Sequence, residues 1–269
     1  KIGLDLQLAP VDDEWFPILK EWEKLIDEKT KLVAIPHISN VFGSVFPIEE
    51  IAKIARLHDA LLLVDGAQAV AHTKIDVQKL DCDFYLFSAH KMYGPTGIGV
   101  LYGKKKILES LPPSRFGGHM TESIGEKETT FAPLPAKFEA GTPPIAEAIG
   151  LGVAIDYLEK IVLENIQKHE EALALYANQT LREIADLKIF SAEKSNIISF
   201  NVGGIHSHDL ATILAEKNIC IRAGHHCSIP SMKKMKETAV ARASLGLYNE
   251  KADIDKLKKA IIEAKKIFS

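Results

Sequence analysis

Cysteine is scarce: Cys82, Cys220 and Cys227 are the only three in 269 residues. An odd, widely spaced set in a chain this long excludes a disulfide framework and points to a reducing compartment, so a cytoplasmic setting is expected. Long hydrophobic runs are missing too. Stretches such as Ala60 to Val64 fall far short of a bilayer span, and no charged-then-apolar segment marks export, so no membrane partner is expected. Neither sign of charge dominates: 33 Lys and Arg face 36 Asp and Glu, a formal net charge of -3, which argues against nucleic acid as a partner. Nucleotide motifs fail on inspection. Gly97-Ile-Gly99-Val-Leu-Tyr102 lacks the last glycine of a dinucleotide fingerprint and enters a strand, while Gly103-Lys104 lacks the upstream glycine and following Ser or Thr of a P-loop.

What is present is the balance of a globular protein, 46% hydrophobic and 26% charged. Apolar residues at Trp15, Ile18, Leu19, Trp22, Leu25 and Ile26 predict a helix within residues 13–26. Leu32 to Ile35 reads as a strand, Pro47 opens a helical pattern through Leu57, and Ala60 to Val64 is apolar without alternation, the signature of a strand covered on both faces. Phe84 to Phe87 and Ile98 to Tyr102 repeat that signature. The rhythm predicts an α/β fold with a mostly parallel sheet and helices on both faces. After Gly141-Thr-Pro-Pro144 the pattern changes: helices over 145–161 and 165–184, a strand over 197–202, a helix over 208–217, a strand over 219–222 and a final amphipathic helix ending near Phe268. A division follows, with the remainder of a large domain over residues 1–145 and a small C-terminal α+β domain over 146–269. The chain begins at Lys1 rather than methionine, so a preceding segment is expected.

Ligands of an open α/β sheet sit at the carboxyl ends of its strands. Three such ends carry polar residues: Asn40, Asp65 and the run Ser88-Ala-His90-Lys91. Taken alone, Asp65 is as ordinary as a turn residue and Lys91 as a solvated charge. Taken together, a carboxylate and a lysine at ends of apolar strands suit pyridoxal 5'-phosphate (PLP), which takes an amine at its aldehyde and a carboxylate at its pyridinium nitrogen. Cys227 follows Gly224-His225-His226 near an arginine, a setting that favours a thiolate; the alternative is a buried structural cysteine, the reading that fits Cys82 and Cys220 beside apolar strands. Consecutive residues rarely ligate one ion and no CxxC or HxxxH spacing is present, so no metal is expected at His225-His226-Cys227.

At Val64-Asp-Gly-Ala-Gln68, His90-Lys91-Tyr93-Gly94-Pro95, Phe138-Glu-Ala-Gly-Thr142, Arg222-Ala-Gly-His-His-Cys-Ser-Ile-Pro230 and Ala241-Arg-Ala-Ser244, the sequence resembles the fold-type I, class V aminotransferase-like PLP enzymes. Within them it is most similar to the group II cysteine desulfurases of the SufS and selenocysteine lyase-like branch. The resemblance implies a fold-type I PLP transferase that converts L-cysteine to L-alanine. Sulfur left as a persulfide on Cys227 would pass to an acceptor of the SufE/SufU type for iron–sulfur cluster assembly, with selenocysteine lyase activity alongside. It implies that Lys91 holds the cofactor aldehyde and shuttles the α-proton, that Asp65 pairs with the ring nitrogen and that Gln68 bonds the ring hydroxyl side. Asn40 would lie near the ring and substrate carboxylate. Ser88 and His90 would hold the phosphate, His90 standing with Lys91 and Cys227 among the catalytic residues. Thr142 would reach the phosphate of a partner subunit, implying a homodimer, and Arg242, with Arg222 nearby, would grip the substrate carboxylate.

The resemblance is incomplete. The family's first third, which supplies a phosphate-cradling helix N-terminus and a ring stacked on the cofactor, has no counterpart, and Gly117-Gly-His119-Met120 departs from the family's loop. Two other readings stay open: a different class V enzyme, an aminotransferase or epimerase that would not need Cys227, and a truncated non-catalytic remnant.

Overall fold

A computed structural model describes residues 3–268, so Lys1 and Ser269, the outer bounds of the division above, lie outside the described residues. Along the chain run α1 (Leu19–Leu25), β1 (Leu32–Pro36), α2 (Ile48–Leu57), β2 (Leu61–Asp65), α3 (Val77–Leu80), β3 (Phe84–Ser88), β4 (Gly99–Gly103) and α4 (Lys105–Ser110). There follow β5 (Thr121–Ile124), β6 (Thr129–Phe131), α5 (Ile145–Ile161), α6 (Leu163–Arg182), β7 (Leu187–Ile189) and β8 (Ile197–Val202). The chain finishes with α7 (Ser207–Glu216), β9 (Arg222–Gly224), α8 (Ile229–Met235), β10 (Val240–Ser244) and α9 (Lys251–Lys265). Among the described residues these elements form two compact units: residues 26–37 with 48–162, and residues 3–25 with 38–47 and 163–268.

The unit of residues 26–37 and 48–162 is built on a sheet of order β1-β2-β3-β4. β1, β2 and β3 are parallel, and β4 returns antiparallel beside β3. Ile35, Val64 and Tyr85 lie in register on one buried face, and α2 buries Ile48, Ile51, Ala52, Ile54 and Ala55. The opposite face stays partly open, with Leu32 48% and Leu101 57% exposed. Unbroken apolar runs therefore overstate how fully the described residues cover both faces. Asp83, 3% exposed where β3 begins, accepts the Leu62 N–H at 2.8 Å and is ion-paired to Lys104 at 3.2 Å, so its buried charge is both hydrogen-bonded and neutralised.

The other unit holds the antiparallel sheet β7-β8-β10-β9, against which α6 and α7 pack, with α9 packed on those two helices. Its core centres on Phe200, Ile198, Leu210, Leu214, Leu181 and Ile261. Glu250 and Asp253 form a reciprocal capping box at the start of α9, satisfying donors that the first turn leaves free. Two sequence expectations shift here. The helix expected within 13–26 is confined to Leu19–Leu25, because Trp15 takes a left-handed φ of 68° and Pro17 breaks the ladder; Asp12 Oδ1 instead accepts from Glu14 and Phe16 N–H groups. The strand expected over 219–222 starts only at Arg222, since Ile219 N–H is still engaged with the Leu214 carbonyl at the end of α7.

Phe200 is wholly buried, so Phe200→Ala should lower unfolding free energy by about 3–5 kcal/mol. Ile262→Ala, on the exposed side of α9, should cost under about 1 kcal/mol. Urea titration measures both, and similar losses in the two variants would contradict this placement of the core.

Candidate active site

The carboxyl ends of β2 and β3 are adjacent because the two strands pair in parallel, Asp65 opposite Leu86. Asp65 ends β2 and its Oδ1 accepts the Ala67 N–H at 2.9 Å, fixing one carboxylate oxygen against the turn. Gln68 is half-buried in the same turn. Ser88 ends β3, and a single 3-10 turn, Ala89–Lys91, carries His90 and Lys91 into solvent. Among the described residues no hydrogen bond or ion pair engages the Lys91 amine. Asp65 and Lys91 are both exposed, since the carboxyl edge of the sheet opens to the surface. Thr142 is exposed on the link before α5.

Beneath this edge lies a pair that the sequence reading passed over. His37 follows β1 and is 8% exposed; its Nδ1 lies 2.9 Å from the Tyr85 hydroxyl, with the rings edge to face. The His37 N–H donates to the Asp65 carbonyl at 2.8 Å. Gly66 crosses the Tyr85 ring so closely that a Cβ there would meet it at 2.0 Å, so only glycine lets the chain turn after Asp65. Burial lowers the His37 pKa to about 4 and raises that of Tyr85, keeping both neutral. The available signal was a histidine directly after an apolar strand.

The other unit gathers Asn40, Arg222, Arg242 and Cys227. Arg242 on β10 stands directly opposite Arg222 on β9. Facing like charges oppose strand pairing unless an anion joins them, so the pair suits a carboxylate. Burial, and then Arg222, pull the Arg242 guanidinium below the usual arginine range, and its Nε is buried without a partner. Its Nη1 donates to the Asn40 carbonyl at 2.8 Å, and Asn40 Nδ2 donates in turn to the His226 carbonyl at 2.8 Å. His226, 3% exposed, sets Nε2 2.9 Å from the Val240 carbonyl.

Cys227 is exposed on a loop where His226 and Cys227 both adopt left-handed backbone, φ 50° and 60°. Such conformations cost about 1–3 kcal/mol each in non-glycine residues and persist only where the surroundings impose them. Cys82 is buried as expected, and burial raises its pKa. Cys220 is exposed, contrary to the expectation of a buried structural thiol, because the strand beside it begins two residues later.

The aminotransferase class-V family profile matches residues 1–257. The chain belongs to that family. A protein of Halalkalibacterium halodurans called a probable cysteine desulfurase is 51% identical over 267 residues, 99% of this chain and 66% of that relative. One of Haloferax volcanii called a cysteine desulfurase is 43% identical, over 100% of this chain and 64% of its own length. Among solved structures, the cysteine desulfurase CsdA (S-sulfonic acid) from Escherichia coli matches with a TM-score of 0.93 at 35% identity, over 96% of this chain and 65% of that one. An apo cysteine desulfurase from Thermococcus onnurineus NA1 also gives 0.93, at 37% identity. The chain thus spans about two thirds of the curated relatives it matches. The expected fold-type I architecture holds, and this class-V family is PLP-dependent. The residues present fit that cofactor: a carboxylate, an amide, a hydroxyl, an imidazole and an unengaged amine occupy two adjacent strand ends.

The two buried neutral histidines set a pH dependence. For His37 and His226, with pKa values near 4 in the fold and about 6.5 when unfolded, the unfolded chain binds more protons between those values. Stability is therefore full above about pH 6.5 and falls as pH drops toward 4, by up to roughly 3 kcal/mol per group. His37→Gln, which keeps a partner for Tyr85, should flatten part of this slope in urea titrations at pH 7 and pH 5; an unchanged slope would contradict a neutral buried His37.

Proposed function

We propose that this chain carries the cofactor- and sulfur-handling residues of a PLP-dependent cysteine desulfurase. The observation that carries the reading is Cys227: an exposed thiol on a strained turn, in the same unit as the facing pair Arg222 and Arg242. An aminotransferase or epimerase has no use for that thiol. The named activity of relatives at 51% and 43% identity supports the same reading.

PLP, when bound, withdraws electrons from the amino acid attached to it and so weakens bonds next to its α-carbon. Lys91 would hold the aldehyde through its amine and would carry the α-proton. Asp65, pinned at one oxygen by Ala67 N–H, keeps the ring nitrogen protonated. Gln68 bonds the ring hydroxyl side, and Ser88 and His90 hold the phosphate. Arg242 and Arg222 take the substrate carboxylate, with Asn40 beside them. The Cys227 thiolate attacks the substrate sulfur as the Cβ–S bond breaks; the bond electrons remain on Cβ, which takes up a proton. L-Cysteine and the Cys227 thiol thus become L-alanine and a Cys227 persulfide, with atoms and electrons balanced.

The reading extends to a homodimer in which Thr142 serves the phosphate of the partner subunit. It includes transfer of the persulfide sulfur to an acceptor protein of the SufE/SufU type, use in iron–sulfur cluster assembly in the cytoplasm, and lyase activity on selenocysteine. It also takes residues 1–145 as the remainder of the cofactor-binding domain and 146–269 as the small domain.

In the full-length protein, Cys227→Ala should lower sulfide release from cysteine by at least about a hundredfold while leaving the visible absorbance of bound PLP unchanged. Selenium release from selenocysteine should fall much less, because selenium leaves more readily. Cys82→Ala and Cys220→Ala should keep both activities. Wild-type cysteine turnover by Cys227→Ala would overturn the reading.

A further inference from the structure

We propose that His226 is a positioning residue that holds the backbone of Cys227 in its left-handed turn, and that Asn40 ties this hold to the substrate-binding Arg242. The proposal rests on the desulfurase reading only for which thiol matters; its geometry stands apart from it.

The links form a closed circuit on β10. The Val240 carbonyl receives the His226 ring, the His226 carbonyl receives the Asn40 amide, and the Asn40 carbonyl receives Arg242, two residues beyond Val240. Because Nε2 faces a carbonyl it must carry the proton, so Nδ1 is bare, and it is buried without a partner. A second proton would add a buried charge beside Arg222, Arg242 and His225, and burial already holds the ring near pKa 4. The ring is thus a fixed neutral donor. Two further bonds finish the turn: Cys227 N–H to His225 Nδ1 at 3.2 Å, and Ser228 N–H to the His225 carbonyl at 2.8 Å.

Consecutive left-handed residues without glycine need several restraints at once. The His226 ring and carbonyl supply two, and both lead to β10. Released from them, the pair would relax to ordinary backbone and swing the Cys227 thiol to a new direction. In its present position the thiol is exposed and open to an electrophile from solvent. The circuit also gives the carboxylate-binding guanidinium and the thiol a common frame, so that one cannot shift without the other.

The test uses the full-length protein without cysteine, treated with iodoacetamide, and reads the rate of alkylation at Cys227 relative to exposed Cys220. His226→Leu and Asn40→Asp, each unable to make its donor bond, should lower the ratio at least about fivefold. His226→Gln, whose side-chain N–H can reach the Val240 carbonyl, should return it to within about twofold of wild type. In turnover, His226→Leu should lower kcat for sulfide release by about 10- to 100-fold, with KM for cysteine changing much less. Ratios within twofold of wild type in both Leu and Asp variants overturn the proposal, as does a Gln variant behaving like Leu. Should His226→Leu fail to fold, the Asn40→Asp and His226→Gln ratios decide by the same thresholds. Cysteine turnover retained by Cys227→Ala would sink the desulfurase reading while leaving the alkylation result standing.

Discussion

Parallel hydrogen bonding of β2 to β3, with Leu63 opposite Phe84 and Asp65 opposite Leu86, is the constraint on which the placing of Asp65, Ser88, His90 and Lys91 depends. Register leaves no freedom in where two neighbouring strands stop, so the carboxylate after one and the Ser88–Lys91 run after the other emerge side by side. A slip of one residue would turn Asp65 to the opposite face and bury it where Val64 now packs. The fold guards against this from below. Tyr85 occupies the space over which only a glycine can pass, and His37 fastens both the Tyr85 hydroxyl and the Asp65 carbonyl.

In the other unit the logic is opposed forces rather than register. Two arginines facing across β9 and β10, an arginine nitrogen buried without a partner, and two left-handed residues in sequence all weigh against folding. The dense apolar core of Phe200, Ile198, Leu210 and Ile261 offsets those costs. Strain and unpaired charge gathered on one short loop and one strand edge are what a reactive site requires and a purely structural region avoids. A remnant kept only for its fold would gain by losing them.

Much of this was legible in the residues, for identifiable reasons. β8 and α5 fall on the residues expected, β8 because its run is mostly apolar and α5 because Pro143-Pro144 mark its start. The first helix was overdrawn because a helical stripe of tryptophans and isoleucines outweighed Pro17. Cys220 was misjudged because adjacency to a strand in sequence does not bury a side chain. The roles given to Gln68, Ser88 and Thr142 came from family resemblance, and composition or spacing alone would not have singled them out. The contacts of His37 and His226 were the least visible of all. Their partners are a tyrosine 48 residues away and a backbone carbonyl 14 residues away, and backbone carbonyls leave no trace in a sequence.

The central claim is that sulfur from cysteine arrives at Cys227. The direct measurement is a single turnover: full-length protein with one equivalent of L-cysteine and no reductant, quenched with an alkylating agent and mapped by peptide mass spectrometry. The account predicts one extra sulfur atom on the peptide bearing Cys227, none on those bearing Cys82 or Cys220, and one equivalent of alanine. Alanine formed while Cys227 remains an unmodified thiol, or the extra sulfur found on Cys220, would contradict it.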